Sequence, residues 1–145
     1  MGRSEPGGFG PAGVFGIVGG IVLADAFTKL LAVDRLAPVH TPHPVIGEWL
    51  RWTLVYNPGA AFGLHLGPWS RGIFVVLTFV ALGVLWNMYR TSVADARIKV
   101  LALASIAGGA IGNLVDRVRS SRGVVDFIDV GVRDWRWPTF NIADI

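Results

Sequence analysis

The chain reads as an all-α integral membrane protein, a transmembrane helical bundle with a small β-rich extramembrane subdomain. Three observations predict this. First, the 145 residues are 52% hydrophobic and 16% charged, with mean hydropathy +0.54, whereas a soluble domain is usually about one quarter charged. Second, three apolar stretches, 14–36, 73–88 and 100–115, each approach the roughly 20 residues that cross a bilayer once their flanks are included. Third, a proline-broken segment with aromatic and β-branched residues in alternation separates the first two stretches and cannot continue either as helix. The length allows one domain.

Residues 1–12 are rich in Gly and Pro and are expected to be disordered; the membrane domain is placed at 13–145. The first span gathers Asp25, Lys29, Asp34 and Arg35 toward its end. Its Ala24-Asp25-Ala26 has the A-x-A form of a signal-peptide cleavage site. The apolar pattern continues through Phe27, Leu30 and Leu31, which favours a retained span. Pro38, Pro42 and Pro44 then forbid helix, Trp49 to Tyr56 alternates as a strand does, and Asn57-Pro58-Gly59 turns the chain into Ala60-Ala61-Phe62-Gly63. The second span is the cleanest, and Trp86 and Tyr89 at its end are expected to be interfacial anchors. The third is rich in small residues. Segment 116–138, with several Arg and two Trp, forms a second extramembrane stretch.

The charge balance narrows the partners. The formal net charge is +3 and the pI about 10.0. The Arg residues are scattered over apolar segments and form no basic stripe, so anionic headgroups are the expected partner and nucleic acid is not. There is no cysteine, which excludes disulfides and thiolate chemistry. His40, His43 and His65 lack metal-ligand spacing, and neither metal nor cofactor is expected.

The informative residues are the polar ones in apolar surroundings. Asp25 and Lys29, four apart, share a helix face, where each offsets the desolvation of the other. That reads as a structural pair. Gly16-x-x-x-Gly20 and Gly108-x-x-x-Gly112, with Gly109 between, read as helix packing. Asn113, Asp116 and Arg117 crowd the end of the third span, and Asn113 and Arg117 share a face suited to a peptide carbonyl or a phosphate. They could equally be the wet boundary of a span. Asp126 in Val124-Val125-Asp126-Phe127 and Asp144 in Phe140-Asn141-Ile142-Ala143-Asp144 each set one carboxylate beside apolar residues. If they converge, they cannot both ionise easily, and one keeps a proton.

In order, Asp25-Ala26-Phe27-Thr28-Lys29, Asn57-Pro58-Gly59-Ala60-Ala61-Phe62-Gly63, the run from Gly108 to Arg117, and the two Asp blocks resemble the bacterial lipoprotein signal peptidases, the type II signal peptidases. The resemblance runs from about Val14 to the end. It implies an intramembrane aspartic endopeptidase that removes the signal peptide from diacylglyceryl-modified prolipoproteins, cutting before the lipidated cysteine. It implies Asp126 and Asp144 as the catalytic pair. Asn57, Asn113, Arg117 and Asn141 would bind substrate, and Asp25, Lys29 and Asp116 would support the fold. It further implies a multi-pass protein of the bacterial inner membrane, monomeric among lipids, with the site on the extracytoplasmic face. The family has four spans and only three are present here. The domain is therefore expected to be C-terminally truncated relative to the family, with Asp144 short of neighbours to hold it.

Two tensions accompany this reading. The resemblance puts Arg3, Arg90, Arg97 and Lys99 in the cytoplasm and Arg35, Arg51, Arg71, Arg117, Arg119, Arg122, Arg133 and Arg136 outside. The positive-inside rule points the other way. A competing function is a small transporter or proton-relay subunit using the same intramembrane acids. A non-catalytic assembly protein built on the glycine motifs would leave Asn57, Asn113, Arg117 and Asn141 unexplained.

Overall fold

The computed structural model describes residues 10–61, 64–65, 67–93 and 96–145. The first helix, α1, runs from Pro11 to Arg35. Pro11 fits at its first position, where no intrahelical N–H is needed. Pro11 and Ala12, expected to be disordered, instead form the first turn of α1; 1–9 lie outside the described residues. Helix α2 spans Ser70–Arg90, behind a 3-10 turn at Gly67–Trp69. Helix α3 spans Arg97–Arg119. All three are long and apolar enough to cross a membrane.

Helices α1 and α3 make the closest pairing, and Gly108 shows how. A Cβ there would lie 2.9 Å from Ile21 Cβ, so the lack of a side chain sets the approach distance. At the end formed by the start of α1, the end of α2 and the start of α3, an apolar cluster closes the bundle. Val14, Tyr89, Val100, Leu103 and Ala104 are buried there, with Ile17, Val18 and Leu85 against them. Tyr89 thus belongs to the core (5% exposed), contrary to its expected place as an interfacial anchor. Its ring packs on Trp86, centroids 5.4 Å apart. Trp86, 45% exposed, is left at the surface.

At the opposite end lies a four-stranded antiparallel sheet in the order β1-β2-β5-β6. Strands β1 (Pro42–Ile46) and β2 (Leu50–Asn57) come from the first extramembrane stretch. Strands β5 (Val124–Val132) and β6 (Trp135–Arg136) come from the second. The two stretches, distant in sequence, are one subdomain. The predicted strand is β2, shifted one residue at each end. β1 accommodates Pro42 and Pro44 because it is an edge strand, where a missing N–H donor is tolerated. A short hairpin pairs β3 (Ala60–Ala61) with β4 (Leu64–His65); Phe62 and Gly63 of that motif lie outside the described residues.

Ala32 at the end of α1 buries against Phe127 and Ile128 of β5, joined by Leu36, Trp52, Phe140 and Ile142. This second cluster fixes the sheet to the bundle. After β6 the chain returns along β5, where Phe140 exchanges backbone hydrogen bonds with Ile128. It then enters the cleft between α1 and α3 as a 3-10 turn, Ile142–Asp144.

Candidate active site

Strand β5 delivers the first carboxylate. Asp126 sits opposite Val55, two residues before the end of β2, and Asn57 opposite Val124. The alternation of the strand turns Asp126 inward (3% exposed). Asn57 Nδ2 donates to Asp126 Oδ2 at 3.3 Å, and Asn57 Oδ1 accepts the Gly59 N–H at 3.0 Å. That turn explains Asn57-Pro58-Gly59: an Asx-type bond before a glycine at φ +118°. Gly123, at φ +96°, precedes β5, and a Cβ there would collide with the Asn57 carbonyl. The glycine lets the two strands that carry Asn57 and Asp126 come together.

The 3-10 turn delivers the second carboxylate. Asn141 caps it: its Oδ1 accepts the Ala143 N–H at 2.8 Å, while Asp144 Oδ2 accepts the Asn141 N–H at 3.2 Å. This is a reciprocal capping box. Asp144 Oδ1 accepts from Asn113 Nδ2 at 2.8 Å, and the Ala143 N–H also donates to Asp25 Oδ1 at 3.2 Å. Asp144 is therefore held on both oxygens, and its turn is tied to α1 and α3. The expected shortage of neighbours is met by short-range bonds that a residue pattern does not display.

Asn141, fully buried, joins the two carboxylates. Its Nδ2 donates to Asp126 Oδ1 at 2.7 Å and to Asn113 Oδ1 at 3.0 Å, while its backbone N–H serves Asp144. One residue thus bonds both acids. Burial above all pushes the Asp126 carboxyl up to about 6, with the Asp144 charge adding to it; the hydrogen bonds from Asn141 and Asn57 and the Lys29 charge oppose it.

Beneath this pair lies a charged hub. Lys29 Nζ reaches Asp25 Oδ2 at 2.6 Å, Asp116 Oδ2 at 2.9 Å and Asn113 Oδ1 at 2.9 Å. Its three donors meet three acceptors. The Asp25–Lys29 pair expected from spacing is present, and Lys29 also reaches across to the amide that holds Asp144. Asp116 Oδ2 accepts the Val125 N–H at 3.2 Å, tying the end of α3 to the residue before Asp126. Arg117 lies over the Phe74 ring at 5.3 Å and faces the charges of Asp144, Asp126 and Asp116. Its Nε is buried without a hydrogen-bond partner among the described residues, a donor left for something else.

Two glycines read from sequence as plain packing are part of this site. A Cβ on Gly109 would collide with the Ala143 carbonyl, and one on Gly112 would lie 2.5 Å from Asp25 Oδ2. The three glycines of α3 thus have three different neighbours: a helix, the Asp144 turn and the charged hub. Spacing alone could not separate them. Sequence reasoning also missed the cluster behind β5, where buried Asp129 accepts from Arg136 Nε at 2.5 Å and Thr53 Oγ1 at 3.0 Å and locks β2, β5 and β6 together. The strand assignment of Thr53 was its one available signal.

Three apolar helices, a small sheet at one end, and a cluster of acids and amides set where they meet define a helical membrane protein with a buried polar site. A solved structure described as a bacterial membrane enzyme, determined by the in meso method, matches with a TM-score of 0.80 and 28% identity. The match covers 99% of this chain and 84% of that one. A second of the same description gives 0.80 and 27%, covering 99% and 88%. The family model Peptidase_A8, signal peptidase (SPase) II, matches residues 17–145. The lipoprotein signal peptidase of Polynucleobacter necessarius is 39% identical over 127 residues, 86% of this chain and 75% of that protein. That of Syntrophus aciditrophicus is 40% identical over 139 residues, 92% and 84%. That of Treponema denticola is 42% identical over 131 residues, 86% and 75%. The chain belongs to the signal peptidase II family and is a membrane-spanning bacterial peptidase.

Proposed function

We propose that this chain is an intramembrane aspartic endopeptidase that removes the signal peptide from diacylglyceryl-modified prolipoproteins, cutting before the lipidated cysteine. The observation that carries the reading is that Asn141 bonds both Asp126 and Asp144. Two acids held by one residue, one through its side-chain amide and the other through its backbone N–H, would share a proton over one peptide bond.

Depth supports it. Asp25 and Gly109, the neighbours of Ala143, each lie ten residues before the end of their helix. At 1.5 Å per residue that is about 15 Å below the helix ends, the level of a peptide still in the membrane. A proton relay needs acids strung along a path through the membrane. Asp25, Asp116, Asp126 and Asp144 instead gather at one end.

The roles follow from environment. Asp126, the more desolvated acid, keeps the proton and donates it to the scissile carbonyl oxygen. Asp144, accepting N–H bonds on both oxygens, takes a proton from a water between the pair. The water attacks the carbonyl carbon; as the C–N bond breaks, the proton on Asp144 passes to the leaving amine and the hydroxyl formed on the carbonyl oxygen returns its proton to Asp126. A bound peptide that expels water strengthens the preference for one shared proton. Arg117 Nε and the Asn57 and Asn113 amides are placed to hold the substrate backbone.

We assign the site end to the extracytoplasmic side. The eight Arg on that side stand against the positive-inside rule, which counts Lys and Arg whether or not they are paired; six of them are engaged. Arg35 pairs with Asp34, and Arg51 and Arg136 with Asp129. Arg71 donates to the Ser120 carbonyl, Arg117 lies on Phe74 and Arg122 on Tyr56 at 4.1 Å.

The test is cleavage of a diacylglyceryl prolipoprotein by the purified protein and by Asp126→Asn and Asp144→Asn. Each substitution is expected to cost on the order of 10³-fold in rate, within the usual range for losing an acid or base. A variant that cuts at the wild-type rate removes its residue from the pair.

A further inference from the structure

The hairpin formed by β5 and β6 has no part in the chemistry above, yet it carries the most exposed tryptophan of the chain. Trp135 is 83% exposed, Val132 63% and Trp137 55%. Val130, Trp135, Trp137 and Phe140 line an apolar cavity of about 390 Å³. Arg133 and Asp134 form the tip between them, both exposed, with Arg133 at φ +51°. In water such a patch is costly; tryptophan beside arginine is the composition of the layer where headgroups meet glycerol.

The path of the chain joins this patch to the spans. From Trp137, whose N–H donates to the Val130 carbonyl, the chain passes Phe140 and descends to Ala143. There its N–H meets Asp25, ten residues before the end of α1. The segment leaving β6 therefore runs from the sheet into the spans, about 15 Å below the helix ends at its lowest point. Val130 and Phe140, which line the patch, also pack against the cluster that Ala32 of α1 forms with Phe127 and Ile128. The patch is continuous with the contact between sheet and spans.

We propose that the hairpin is an interfacial anchor: Val132, Trp135 and Trp137 seat in the glycerol layer of the extracytoplasmic leaflet, and Arg133 contacts anionic headgroups. Its partner is the lipid surface. Because Asp126 and the anchor share strand β5, the anchor sets the depth of the first carboxylate relative to the bilayer. The proposal uses the orientation given above but does not require catalysis.

The chain has no cysteine, so one spin label reports one position. The full chain in liposomes containing phosphatidylglycerol would carry a nitroxide at Trp135→Cys or Val132→Cys, with Ser121→Cys as a control on an exposed turn. Power saturation with oxygen and with a water-soluble nickel chelate reads depth. Positions 132 and 135 are expected to be several-fold more accessible to oxygen than to nickel, and position 121 the reverse. Nickel access at 132 and 135 equal to that at 121 would overturn the anchor. Shielding from both reagents would overturn it too, in favour of a protein contact. Neither readout depends on peptidase activity, so failure of the anchor and failure of the catalytic assignment are separable.

Discussion

The two ends of the helical bundle are held together by opposite physics. At one end Val14, Tyr89, Val100, Leu103 and Ala104 interlock through many small contacts, each individually weak. At the other, Lys29 reaches Asp25, Asp116 and Asn113, and Asn141 reaches both acids. The apolar end is redundant, and losing a side chain leaves a gap that neighbours partly fill. The polar end is not, because removing one partner strands a buried charge or donor. Stability is graded at one end and all-or-none at the other, and the proposed active site sits at the brittle end.

The sharpest way to break this contrast is Lys29→Met. It leaves buried Asp25 and half-buried Asp116 without their cation and is expected to cost about 3–5 kcal/mol, read as loss of folded protein in detergent. Adding Asp25→Asn and Asp116→Asn should restore much of the fold. If Lys29→Met alone unfolds no more readily than wild type, the brittle end is not brittle.

Acidity gives the next effect. Asp126 is pushed up to about 6 from 3.8, so the folded state prefers its protonated form. The associated stability is fully present below pH 3.8 and is lost as pH rises through about 6, on the order of 3 kcal/mol in all. Asp126→Asn removes this dependence, so at pH 7 the inactive variant should melt above wild type. Unfolding followed from pH 4 to 8 in both proteins checks the sign. A variant that melts lower at pH 7 contradicts it.

Gly109→Ala tests geometry alone. Its methyl group would collide with the Ala143 carbonyl and push the Asp144 turn away from Asp126. A displacement near 1 Å is expected to cost about 100-fold in cleavage rate, with the apolar end untouched. The smallest effect belongs to that apolar end. Leu103→Ala should lower stability by about 2 kcal/mol, at the mild end of large-to-small core changes, and leave the rate per folded molecule within about twofold. A large rate loss would show that the two ends are coupled.

The spans were legible because bilayer crossing is written in length and hydropathy, both one-dimensional. The strand at Trp49–Tyr56 was legible from alternation, though its partner β5 was not, since pairing across nearly 70 residues leaves no local trace. Asp25 and Lys29 were visible as a pair because helix spacing brings them together. That Lys29 also grips Asn113 depends on α1 meeting α3 at Gly108, a tertiary fact. Tyr89 was misplaced because an aromatic near a helix end has the same composition whether it faces lipid or a neighbouring helix. Gly109 and Gly112 were read as packing because a missing side chain does not say what fills its space. The blocks around Asp126 and Asp144 stood out through resemblance, while their joining by Asn141 is visible in the structure alone.

Hydrolysis has a second substrate, water, and the depth of the Asp144 turn makes its supply a structural problem. An apolar bundle does not wet itself. The amides of Asn57, Asn141 and Asn113, linked through Asp126 and Asp144, run from the Pro58 turn at the sheet down to Lys29. That row of side chains offers solvent a succession of hydrogen-bonding sites where the surrounding walls offer none. A protease working below the membrane surface must ration water as well as bind peptide, and under the proposed assignment one polar ladder would serve both.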